Sequence, residues 1–205
     1  AGVSDVAVST FVGTIVRVDA AGGRATATSS YASTAPAIAA ACGRMRDELG
    51  GPGQAALYEA TGAPVHTAYA GPALRAWLDA DIAAGVGTPL HACTLGTYLL
   101  AALCGSHTYD AIDTSVGEVG WTGVAELRGA CAGGGWCAAA LAAVTRGSSS
   151  LRRVTLPPVR EGVGTILHIG SDYSGGAADA ALPQQLRRLW LHCAGAAASS
   201  GGAAS

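Results

Sequence analysis

Lysine and asparagine are absent from this chain of 205 residues, so all twelve basic residues are arginine. Methionine and phenylalanine occur once each, whereas glycine contributes 30 residues. This bias follows GC-rich codons and points to a GC-rich genome, cellular or viral. Charge is scarce too. Charged residues make up 13% of the chain, about half the usual quarter. With 50% apolar residues and a formal charge of −2, the composition excludes a disordered chain and supplies material for a core. The longest basic runs are Arg152-Arg153 and Arg187-Arg188, too short for a phosphate track, so no nucleic-acid partner is expected. No apolar run reaches the roughly 18 residues of a membrane span, and no signal peptide is legible, so no membrane association is expected.

The six cysteines would suffice for three disulfides. They are embedded in Ala/Leu-rich, helix-like text rather than in a short loop-rich scaffold, which favours reduced thiols in an intracellular compartment. No CxxC pair and no Cys/His cluster with zinc spacing is present, so neither a metal nor a cofactor is expected.

What is there divides into a helical half and a β half. Residues 6–18, VAVSTFVGTIVRV, are rich in Val, Ile and Thr and read as strand. A turn at 20–23 and a returning strand over 24–31 make a hairpin. Helical spacing begins at Pro36 and stops at Gly50, with a short helix after the Gly51-Pro52-Gly53 breaker. Residues 71–85 read as a helix, 91–105 as a buried helix with Cys93 in its first turn, and 119–145 as two helices broken at Gly133 to Gly135. The stretches 151–159 and 162–172 read as strands separated by Pro157-Pro158. Residues 182–193 read as a last helix, and the Ala/Gly/Ser tail follows.

A thiol becomes a nucleophile only as thiolate, and a helix start and an imidazole both favour that form. Cys93 has the first by this reading. His168, held on an apolar strand 75 residues further on, supplies the second. His66 lies in a Pro-containing loop, His91 could compete as a local partner, His107 follows a helix end, and His192 lies in the last helix. Cys42, Cys104, Cys131, Cys137 and Cys193 read as core packing, and Trp77, Trp121, Trp136 and Trp190 as core or cleft walls.

The motif order around His168 adds to this. Leu156-Pro157, a strand entering His168, the turn Ser171-Asp172-Tyr173-Ser174-Gly175 and the pair Gln185-Leu186 follow one another. Over about residues 88–205 the chain resembles viral papain-like leader cysteine proteases, the helper-component proteinase of potyviruses and the hypovirus leader proteases. It departs from that pattern at Ala92 and Thr94, which stand where the family flanks its Cys with Gly-Tyr and Tyr, and at Asp172, one residue further from the His than in the family.

The resemblance implies an α+β, papain-like fold, with a helical half carrying Cys93 packed on a small antiparallel sheet carrying His168. It implies a Cys93–His168 dyad, with Asp172 as a possible orienter and no cofactor. The activity implied is self-release in cis, cutting at Gly201-Gly202 or after Ser205. The substrate is then the protein's own C-terminal polyprotein segment. Host proteins are possible further partners, and the compartment is the cytoplasm, the host cell's if the source is viral. Residues 1–70 form a separate N-terminal portion in this reading and 71–205 the protease domain. Two alternatives stay open: a bacterial or phage cell-wall amidase of the same superfamily, and a viral capsid or accessory structural protein.

Overall fold

The structure, a computed structural model, describes residues 6–8, 10, 13–19, 23–103, 114–126, 135–145, 154–160, 166–168 and 188–191. It is α+β, and its main sheet is small and mixed.

The expected hairpin forms. β2 (Ile15–Val18) and β3 (Ala25–Ser29) pair antiparallel with a bulge at Arg17/Val18. Asp19 N–H donates to Arg24 O and Gly23 N–H to Asp19 O, closing the turn. The strand text of 6–18 is divided, however. β1 (Val6–Val8) belongs to another sheet, and Gly13, in the left-handed region at φ 70°, breaks the run.

Pro36 sits in the first turn of α1 (Pro36–Thr61), where its missing N–H costs nothing. Gly50, at φ 61° and ψ 179°, breaks this helix where the sequence places a stop. Gln54 Nε2 donates to the Arg46 carbonyl across the kink, at 3.1 Å. α2 (Ala70–Ala83) matches its predicted helix and is buried on all sides from Ala70 to Ala76. Such a helix must be packed on several faces. It touches α1, α5 (Ala138–Thr145) and β4 (Leu90–Thr94).

The expected helix over 91–105 is corrected. Residues 90–94 are strand, and α3 (Leu95–Leu103) begins only afterwards. β4 is held on both edges: antiparallel to β2, with Cys93 opposite Val16, and parallel to β6 (Val154–Thr155). The sheet order is therefore β3-β2-β4-β6. After α3 come β5 (Thr114–Ser115), α4 (Val116–Val119) and a 3-10 turn over Gly120–Thr122. Pro157-Pro158 separates β6 from β7 (Val159–Arg160), which pairs parallel with β5. In place of the predicted last helix, residues 188–191 form β9 (Arg188–Leu191). It lies between β1 and β8 (Ile166–His168).

One core joins α1, α2, α5, β2 and β4. Ile15, Ile38, Met45, Leu74, Leu78, Leu90, Val124 and Val144 belong to the same buried cluster. Full burial of side chains of this size is worth about 2 kcal/mol each. The cluster draws on both sides of the expected 70/71 division, so that division does not separate two cores.

Candidate functional site

The Cys93 reading is altered by its strand. Its residue is 0% exposed, one position before the end of β4, rather than in the first turn of a helix. Burial pushes its thiol up to about 12, and the nearby Glu118 carboxyl adds to the rise. Both effects oppose thiolate formation, the reverse of what a helix start supplies. Cys93 is a free thiol, as are the buried Cys42 and Cys137, and Cys42 Sγ lies 3.7 Å from the Val65 carbonyl. His168 does lie on a strand, but in the three-stranded sheet β1-β9-β8, whereas Cys93 lies in the four-stranded one. The backbone thus places them in different sheets. Asp172, Gly201, Gly202 and Ser205 lie outside the described residues, as do His107, His192, Cys104, Cys131 and Cys193. His66 is exposed, and its Nδ1 accepts from Ala68 N–H at 3.1 Å. Among the described residues no group of three or more His, Cys, Asp or Glu could hold a metal ion. No helix there is long and apolar enough to cross a membrane.

A different cluster forms where β4 ends and α3 begins. Thr94 caps α3: its Oγ1 accepts from Thr97 N–H at 3.3 Å and lies 2.9 Å from Thr97 Oγ1. Glu118, reaching over from α4, accepts from Gly96 N–H at 2.8 Å. It accepts from Thr114 Oγ1 at 3.3 Å and is also bonded to the Thr94 side chain. A Cβ at Gly96 would meet the Glu118 carboxyl, which would have to shift. Burial raises the Glu118 pKa, and the bonds from Thr94, Gly96 and Thr114 only partly offset it. A buried carboxyl with a raised pKa is the kind of perturbed group that marks functional sites.

Thr14 borders this cluster. Its carbonyl accepts from Leu95 N–H at 3.1 Å. Its own hydroxyl is buried and has no hydrogen-bond partner. Gly13, beside it, packs so closely that a Cβ would come within 3.1 Å of the Trp121 carbonyl. Trp121 is 56% exposed, against its expected place as core or cleft wall. Gly123, at φ 69°, passes Tyr69 with no room for a side chain. Residues 13–14, 68–69 and 120–123 thus meet at the amino end of α3. The sequence reading missed Thr14 and Glu118, and gave Trp121 only as a core or cleft wall. The one local signal was Gly120-Trp121-Thr122-Gly123, an aromatic residue between glycines.

No family model matches the chain, and no curated protein matches its sequence. Among solved structures, the ligand-bound xylulose kinase from Lactobacillus acidophilus is similar, with a TM-score of 0.53 and 13% identity. The match covers 76% of this chain and 29% of that one, so the chain corresponds to less than a third of the kinase's length. The likeness is one of fold.

Proposed function

We propose that this chain is part of a phosphotransferase of the sugar-kinase kind, binding a small polyhydroxylated ligand at the amino end of α3. The observation that carries this is the buried, unpartnered hydroxyl of Thr14 at the meeting point of three loops. A buried hydroxyl left unpaired costs about 1–3 kcal/mol, and a ligand hydroxyl would recover that cost. Trp121, whose backbone carbonyl packs against Gly13 next to Thr14, is exposed. The fold likeness to a xylulose kinase is what suggests a sugar as the ligand to test. Because that likeness spans 29% of the kinase, binding rather than turnover is the activity to measure on this chain.

The papain-like fold and the Cys93–His168 protease form the rival reading. It needs a thiolate at Cys93, which burial and Glu118 both disfavour. The xylulose-kinase likeness lends it no support.

One preparation separates the two readings: residues 1–205 with a C-terminal extension, beside Cys93→Ser and His168→Ala variants. Titration with xylulose, followed by tryptophan fluorescence, is expected to give a saturable change that Trp121→Ala abolishes. The extension is expected to stay attached, and Cys93 to resist thiol reagents until the protein unfolds. Release of the extension by the parent alone, with no response to xylulose or other ketoses, would overturn the proposal in favour of the protease.

A further inference from the structure

We draw no further inference here: the strongest candidate, the outer edge of β3 (Ala25–Ser29) in the four-stranded sheet, is a strand edge without a neighbouring strand among the described residues, and nothing in the structure shows what covers it.

Discussion

The surroundings of Arg75 and of Glu118 both bury charge, and they do so in opposite ways. Between α1, α2 and α5, Arg75 is almost wholly buried and meets two acids. Its Nη1 and Nη2 donate to Glu48 at 3.0 and 2.9 Å, and its Nε donates to Asp79 at 2.9 Å. Arg44 adds a second cation, 2.7 Å from Asp79. Around α3 and α4, Glu118 accepts from the Gly96 N–H and is bonded to Thr94 and Thr114. The pKa directions record the contrast. Arg75 is raised, chiefly by its bond to Glu48, so its charged form is favoured. Glu118 is raised by burial, so its charged form is disfavoured. Opposite charges that satisfy one another make a strut, whereas burial that disfavours a carboxylate is an arrangement met at functional sites.

The strut gives the largest expected effect. Arg75→Met keeps much of the aliphatic bulk but leaves Glu48 and Asp79 without their shared cation and the Ala143 carbonyl without the Arg75 Nη1 donor at 3.5 Å. The expected loss is about 3 kcal/mol, because the buried cation that joins the two acids is removed, although Asp79 keeps Arg44. Urea unfolding measures it directly. A loss below about 1 kcal/mol, the range of surface pairs, would erase the contrast between the regions.

On the other side, Gly96→Ala sets a methyl against the Glu118 carboxyl and is expected to cost about 2 kcal/mol as overpacking. Gly43→Ala is the matched control. It lies inside α1 with nothing within 4 Å of the added Cβ, and the gain in helix propensity is about 0.5–1 kcal/mol. Equal effects of the two substitutions in thermal unfolding would mean that Glu118 moves aside freely.

These regions were unequally legible in the sequence. The helical side was readable: Pro36, Gly50 and Gly85 punctuate it, and the apolar text between them has helical spacing. The hairpin at 15–29 was readable from Ile15, Val16 and Val18 and the glycine turn. The α3 side was not. His91-Ala92-Cys93-Thr94 has little intrinsic strand preference and runs directly into the apolar text of α3, so its period reads as helix. It is strand because β2 and β6 hold both of its edges, a long-range condition that local spacing does not contain. The same holds for Arg188–Leu191, which lies between β1 and β8. The misplaced helix start carried the case for Cys93 with it. Glu118 was unreadable for a related reason: its partners Thr94 and Gly96 lie more than twenty residues away.

Glu118→Gln sharpens the comparison through pH. The folded carboxyl keeps its proton to higher pH than the unfolded one, since burial raises its pKa. Between the two values the folded state binds more protons, so this group's contribution to stability falls as pH rises. It is fully present below the unfolded value and lost as pH climbs through the folded one. Glutamine has no such slope. The variant is expected to gain on the parent as pH rises through that window, in urea titrations between about pH 4 and 8. Cys93, pushed up to about 12 from 9.0, loses its contribution only between those two values and does not interfere. A constant difference between the two proteins would show that Glu118 is not desolvated, and the proposed site would lose its buried carboxyl.

Thr14→Val gives the smallest change in stability and the most specific one in function. Valine keeps the shape of threonine and removes the hydroxyl that has no partner. In an ordinary buried position that exchange breaks a hydrogen bond and destabilises, whereas here there is no bond to break. The free protein is expected to gain about 1 kcal/mol, the lower end of the penalty for an unsatisfied buried group. The ligand loses a donor and an acceptor at the same time, so the fluorescence response to xylulose is expected to weaken by about tenfold, which corresponds to one hydrogen bond of about 1.4 kcal/mol. Thr14→Ser retains the hydroxyl and loses only a methyl, so it should bind like the parent while being less stable. A valine variant that is less stable than the parent would mean that the hydroxyl is satisfied in solution. One that is more stable yet binds xylulose as the parent does would move the ligand away from Thr14.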